Sequence, residues 1–288
     1  MSKIAITPQE FFLYSDFLES ECGITLNINK TYLLEERLSK LIMENQCKTF
    51  GEFFLKAKSA ATKDLRMQIV DAMTVNETLW FRDEGPYHLL RDKLFPELNA
   101  ELAAMKRINV RIWSAACSTG QEPYSMSIMA HEAARLHDCA HLLQPGRLSI
   151  VASDISPTAL NSAKAARYDN MAMTRGMWPD VEKRYFTPQD DKSFVVKDAV
   201  RSLVRFEQFN LKLPFITLGR FDVIFIRNVS IYFSLEFKKE LYQKIAQALN
   251  PGGYLVIGSS ETLLGISDDF ELMEHERTRY YRVKPLMP

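Results

Sequence analysis

The run from Arg111 through Trp113, Cys117 and Gly120 to Ser125 limits this chain's fold more than any other segment. Residues 110–115 read as a buried strand. It stops at a small-residue turn with one glycine, and a helix opens at Glu122-Pro123. Strand, tight turn and helix is how an open α/β sheet makes a nucleotide-type pocket, because ligands sit beyond the carboxyl ends of the strands. A second apolar strand, 148–153, ends in Asp154. A carboxylate there accepts hydrogen bonds from both hydroxyls of a ribose. This is the layout of a nucleoside cofactor site.

The turn also limits the cofactor. A dinucleotide fold needs G-x-G-x-x-G so that backbone amides approach a pyrophosphate. Ser118-Thr119-Gly120-Gln121-Glu122 offers one glycine and a carboxylate where the phosphate would lie. Glu122 repels a pyrophosphate and attracts a cation or an amine. S-adenosylmethionine carries a sulfonium and an ammonium and no phosphate, so it suits this turn better. From the turn alone a plainer role for Glu122 stays open, as a helix-dipole complement worth ~0.3–1 kcal/mol.

Two domains are expected from 288 residues. Residues 1–85 read as an all-helical domain and linker. Thr7-Pro8-Gln9-Glu10 is a capping box with proline at the first helical position, and Gly23 is a C-cap. A second helix is expected near Lys30–Asn45, a third after Thr49-Phe50-Gly51-Glu52, and a fourth over Leu65, Ile69, Val70 and Met73. Residues 86–288 read as the cofactor-binding domain, with strands at 110–115, 148–153, 221–226 and 253–259 and helices after the first three. Residues 191–208 read as an antiparallel hairpin, part of an inserted β-subdomain at about 186–208. The segment 270–283 reads as a closing antiparallel pair.

Five segments carry a family resemblance. Thr74-Val75-Asn76-Glu77-Thr78-Leu79-Trp80-Phe81-Arg82 resembles the T-x-N-E-T-x-F-F-R signature of the chemotaxis receptor methyltransferases, the CheR family. Ala116–Ser125 resembles their C-S-T-G-x-E-P-Y-S turn, and Ser153-Asp154-Ile155 their S-D-I. Phe225–Phe233 resembles F-x-R-N-V-x-I-Y-F, and Gly252–Leu255 with Ser260-Glu261-Thr262-Leu263 resembles the family's last strand and its end. The five occur in the family's order and cover nearly the whole chain.

The resemblance implies a helical domain followed by a Rossmann-like class I methyltransferase domain. It implies S-adenosylmethionine as cofactor, S-adenosylhomocysteine as product, and methyl esterification of glutamates on the cytoplasmic domains of methyl-accepting chemoreceptors. The cofactor contacts it implies are Asn76, Thr78, Arg82, Glu122, Asp154, Asn210, Leu211, Arg227 and Asn228. A glutamate nucleophile, with a pKa near ~4.3, is ionised at neutral pH and needs no general base. Orientation is the enzyme's task, which makes Arg82, Arg227 and Tyr232 the candidate catalytic residues, Tyr232 through a hydrogen bond to the incoming carboxylate. A non-catalytic S-adenosylmethionine-binding regulator or scaffold is the alternative.

Two departures from the family pattern shape the expected partners. The second helix, strongly basic in many members, here carries Lys30, Arg37 and Lys40 beside Glu35, Glu36 and Glu44. Thr187–Lys192 holds no glycine where members that tether a receptor tail peptide have one, so no tethering is expected. Thirty-six basic and thirty-six acidic residues leave no net charge, and nothing argues for nucleic acid. Cys22, Cys47, Cys117 and Cys139 form no C-x-x-C pair, and His88, His131, His137, His141 and His275 show no ligand spacing, so no metal is expected. No signal-peptide pattern opens the chain and no apolar run reaches ~18–20 residues. A cytoplasmic protein without direct membrane insertion is expected.

Overall fold

The computed structural model describes residues 4–59 and 63–285. Helix α1 (Pro8–Cys22) begins at the capping box: Thr7 accepts from the Glu10 amide, and the Glu10 carboxylate accepts from the Thr7 amide. The same carboxylate accepts from the Gly51 amide at 2.6 Å, tying α1 to the start of α3 (Phe50–Lys58). With α2 (Thr31–Glu44) and α4 (Lys63–Met73), these helices enclose Phe11, Tyr14, Leu34, Leu38, Phe50, Phe53 and Ile69.

A helical stretch follows, α5 (Gly85–Leu89), a π-helical turn at Leu90–Leu94 and α6 (Phe95–Ala103). It leads into a seven-stranded sheet. Strand β1 (Val110–Ala115) lies near its centre, followed by α7 (Gln121–His137), β2 (Leu148–Asp154) and α8 (Pro157–Ala165). A small antiparallel sheet contains β3 (Arg167–Tyr168), β4 (Phe186–Pro188) and β5 (Phe194–Val196), in the order β3-β5-β4. Helices α9 (Asn170–Thr174) and α10 (Pro179–Tyr185) join β3 to β4, and α11 (Asp198–Arg201) leaves β5. Then come β6 (Val204–Gln208), β7 (Phe221–Ile226), α12 (Leu235–Ala248), β8 (Leu249–Ile257), β9 (Phe270–His275) and β10 (Thr278–Val283).

The large sheet runs β6-β2-β1-β7-β8-β10-β9, parallel from β6 to β8 and antiparallel from there. Strand β1 connects onward to β2 on one side, while β7 lies on its other side. The β1–β7 gap is therefore the switch point at whose carboxyl edge a ligand binds. Every residue of β7 is buried, which is why it reads as one apolar run.

The hairpin expected over 191–208 is not formed. Its second half, β6, is the parallel edge strand of the large sheet, pairing Val204 with Ile150 and Gln208 with Asp154. Only β5 lies in the small sheet, which draws on residues from Arg167 to Val196 rather than on 186–208. An edge strand with one covered face alternates like a hairpin strand, and the one-turn helix α11 between the two runs left no strong sequence signal.

Glu132 of α7 fastens the small sheet's surroundings to the main domain. Buried at the carboxylate, it accepts from Tyr185 Oη at 2.6 Å and pairs with Arg135 at 2.7 Å and Arg184 at 3.2 Å. Burial works to raise its pKa, but Arg135, Tyr185 and Arg184 outweigh it and hold the carboxyl below the usual 4.5. A depressed acid stabilises the fold above its unfolded pKa, and that contribution is lost as pH falls through the folded value. Glu132→Gln is expected to cost about 0.5–1.5 kcal/mol near neutrality. In urea unfolding the gap between variant and parent should close below about pH 4; a gap unchanged there would show that the carboxylate charge contributes nothing.

Candidate functional site

The carboxyl ends of β1, β2, β6 and β7 open on one crevice. Its wall includes Ala116, Cys117 and Ser118 after β1, Asp154 at the end of β2, and Phe209, Asn210 and Leu211 after β6. Arg227, Asn228 and Val229 after β7 complete that side, with Tyr232 and Phe233 beyond them. The linker contributes Asn76, Thr78 and Arg82, and α7 contributes Glu122. All ten candidate residues named from the sequence therefore line one cavity.

Backbone strain is present at and beside this cavity, as it is at several turns elsewhere. Phe81, Asp83 and Glu84 around Arg82, Ala116 and Ser118 in the turn, and Asn228 after β7 all have positive φ without being glycine. Such conformations persist only where their surroundings over-determine them, and they cluster at working sites. Gly120 has a different constraint. At φ 94° it caps α7, and a Cβ there would stand 2.9 Å from Ala163 Cβ and 3.0 Å from Tyr168 Oη. One glycine is needed in this turn, for packing rather than for a phosphate.

Asp154 is buried, and its two oxygens accept from the Ser118 amide at 2.8 Å and the Ser156 amide at 2.9 Å. Burial raises its pKa against the pull of those amides. A carboxylate has about four lone-pair positions, so accepting capacity remains toward the cavity. Ser118 also donates to the Asn76 carbonyl at 2.9 Å, which joins the linker to the turn.

Arg227 is the hub of the opposite wall. Its side chain is 2% exposed, and it meets Glu122 at 3.2 Å, Asp83 at 2.8 Å and the Arg82 carbonyl at 2.7 Å. Glu122 accepts in addition from Ser114 Oγ at 2.8 Å. Burial pushes the Glu122 carboxyl up, while Arg227 and Ser114 pull it back. One donor is left over: Arg227 Nε is buried without a partner. An orphan donor in a cavity wall fits a ligand acceptor such as an amino-acid carboxylate.

Asn210 is less free than its sequence role requires. Its Nδ2 donates to the Glu21 carbonyl at 2.7 Å and its Oδ1 accepts from the Lys212 amide at 2.9 Å. Arg82 donates to the Glu77 carbonyl at 3.4 Å, and its charge helps pull the Glu122 carboxyl down. Arg37, counted with the basic helix, donates instead to the Met73 and Thr74 carbonyls at 3.0 and 2.9 Å.

Sequence reasoning missed the helical domain's part in the cavity. Cys22 and Ile24 line it. The Thr25 amide and hydroxyl both donate to the Tyr232 carbonyl, at 2.9 and 3.0 Å, and Ile24 bridges Phe233. On the far side of the seam Asp71 accepts from Ser156 Oγ and Thr158 Oγ1. Gly23, already needed as the left-handed C-cap of α1, also leaves room for the Phe237 ring.

Two comparisons settle the lineage. The all-alpha domain of CheR methyltransferases matches residues 9–74, and their SAM binding domain matches residues 76–279. The chain belongs to the CheR methyltransferase family. It is 42% identical over 287 residues to chemotaxis protein methyltransferase 1 of Vibrio cholerae, covering 99% of this chain and all of that one. It is 42% identical to chemotaxis protein methyltransferase Cher2 of Pseudomonas putida, covering 96% of this chain and 98% of that protein. A chemotaxis protein methyltransferase of Borreliella burgdorferi matches at 31%, over 91% of each chain. The CheR-family architecture thus extends over the helical domain, the mixed sheet and the cavity between them. Among the described residues no helix is long and apolar enough to cross a membrane.

Proposed function

We propose that this CheR-family chain transfers the methyl group of S-adenosylmethionine to glutamate side chains of chemoreceptor cytoplasmic domains. The observation that carries this reading is the wall chemistry of the cavity at the carboxyl ends of β1, β2, β6 and β7. It has a buried carboxylate at a strand end for a ribose, a carboxylate–arginine cluster with a spare donor opposite, and a tyrosine at the mouth. S-adenosylmethionine supplies, when bound, a methyl group on a sulfonium. Asp154 takes the ribose hydroxyls, Phe209 and Leu211 pack the adenine, and Asn210 holds the loop beneath it. Arg227 Nε takes the methionine carboxylate, and Glu122 keeps that end electronegative for the ammonium. Asn76 and Thr78 form the linker side of the wall. Arg82 and Tyr232 face the acceptor, whose carboxylate needs orientation and loss of water rather than deprotonation; such alignment is worth perhaps ~7–11 kcal/mol.

Electrostatics favour a receptor contact with little long-range attraction. The helical domain and linker, residues 1–85, hold ten basic and thirteen acidic residues. Arg37 is engaged with the backbone and Lys40 lies 3.7 Å from Glu44. In the small sheet, Asp191 closes the β4–β5 turn on Ser193 and Arg167, and Lys192 adopts φ 63° without glycine. That closed turn supports a chain that does not tether a receptor tail.

The function is tested by transfer of a labelled methyl group from S-adenosylmethionine to receptor-enriched membranes, beside calorimetry of cofactor binding. A methyl ester releases its label as methanol in alkali. Label stable to alkali would overturn glutamate esterification, and tight binding without transfer would make the chain a regulator. Asp154→Ala is expected to weaken S-adenosylhomocysteine by about 1–3 kcal/mol. That is roughly five- to a hundred-fold in Kd by calorimetry; unchanged affinity would put the ribose elsewhere.

A further inference from the structure

The loop after β7 carries Asn228, Val229 and Tyr232 into the cavity wall, and a side chain of the neighbouring β8–β9 loop anchors it. That anchor is Glu261. Its Oε2 accepts from the Asn228 amide at 2.8 Å and the Gly258 amide at 2.7 Å. Its Oε1 accepts from the Ser230 amide at 3.0 Å and Ser230 Oγ at 2.6 Å. Tyr242 donates to Ser230 Oγ at 3.1 Å, so that hydroxyl is fixed as a donor toward Glu261. Four donors converge on one carboxylate.

The surroundings are built to admit it. Asn228 sits at φ 57°, which turns its amide toward Glu261. A Cβ on Gly258 would lie 2.6 Å from Glu261 Oε2 and 3.0 Å from the Asn228 amide nitrogen, so only glycine leaves room. Glu261 is not part of the cavity wall; it lines the adjacent groove. Whatever it does for the site it does through the loop.

We infer that Glu261 is a positioning residue for methyl transfer. By gathering the Asn228 and Ser230 amides it fixes the single turn Ser230–Tyr232, and with it the place of the Tyr232 ring at the cavity mouth. The opposite edge of that turn is held by Thr25 on the Tyr232 carbonyl. Glutamine is not a conservative replacement, because either orientation of its amide sets an NH2 group against N–H donors. The inference rests on the receptor-methylation reading for its kinetic arm only.

The test uses the full chain with Glu261→Gln, Tyr232→Phe and both together. Turnover is expressed per S-adenosylhomocysteine-binding site counted by calorimetry, so unfolded protein is excluded. Glu261→Gln is expected to lower kcat per site roughly ten- to a hundred-fold, as small misplacements do, with Kd for S-adenosylhomocysteine changed less than about threefold. The double variant should be no slower than the slower single one, because the two act on one group. Unchanged kcat per site, or losses that multiply, would overturn the inference. Hydrogen exchange at residues 228–233 is the second arm. Faster exchange there in Glu261→Gln is expected with or without a receptor, and unchanged protection would overturn the inference by itself. An inactive parent whose loop still loosens in the variant would overturn only the receptor reading. If Glu261→Gln does not fold, Ser230→Ala, which removes one of the four donors, carries the same comparisons with a smaller expected loss.

Discussion

Arg227→Met is expected to cost about 3–5 kcal/mol of stability at neutral pH, because it leaves a buried carboxylate without its partner. The arginine is 2% exposed at its side chain and stands between Glu122, 12% exposed, and Asp83, a third exposed. Water shields Asp83, so most of the cost falls on Glu122. Burial already raises the Glu122 pKa above 4.5, and without Arg227 it rises further. An acid whose folded pKa lies above its unfolded value binds protons more tightly when folded, so its share of stability is present at low pH and lost as pH rises through that window. The penalty of Arg227→Met should therefore be smaller at about pH 5 than at about pH 8, and adding Glu122→Gln should recover part of it. Urea unfolding at the two pH values measures this. A penalty independent of pH would mean that Glu122 is not the group left stranded. S-adenosylhomocysteine binding should fail in the single variant, since the walls on both sides of Arg227 depend on it.

Tyr232→Phe addresses the chemical step. The ring packs against the cluster around Phe233 and Phe237, and its carbonyl is held by Thr25. Both are preserved by phenylalanine. What is lost is the hydroxyl of a cavity-wall residue and, in the proposed reaction, its hydrogen bond to the incoming glutamate, worth roughly 1.5–3 kcal/mol. That is about ten- to a hundred-fold in kcat, with cofactor affinity unchanged. Measuring both on one variant decides the matter. A large loss of affinity would make Tyr232 a cofactor contact, and unchanged turnover would leave it a packing residue.

How much of this was legible in the residues follows from what periodicity encodes. Strands β1 and β7 are buried on both faces, so their apolar runs identified them and the turns beyond them. Thr7 and Glu10 announced α1 by local chemistry that needs no tertiary partner. Pattern records which face is covered, not what covers it. Strand β6 was therefore given the wrong neighbour, and nothing in the helical pattern of residues 1–85 showed that Cys22 and Ile24 also wall the cavity. Glu261 was seen only as part of a resemblance, because three of the four donors it gathers lie on a loop some thirty residues away and leave no spacing to recognise. Family resemblance supplied Asn76, Thr78 and Arg82, for which composition and periodicity carried no signal.

The seam between helical and sheet domains has a thermodynamic consequence. Cys22 and Ile24 on one side and Asp154 and Arg227 on the other enclose the same space. Ligand binding and domain docking are therefore linked equilibria, and linkage is reciprocal. Whatever factor a bound ligand contributes to holding the domains together, docking contributes to holding the ligand. Lesions at Thr25 or Asp71, neither of which lines the cavity, would then register as weakened cofactor affinity. A saturating ligand would in turn mask them, restoring the closed arrangement by mass action.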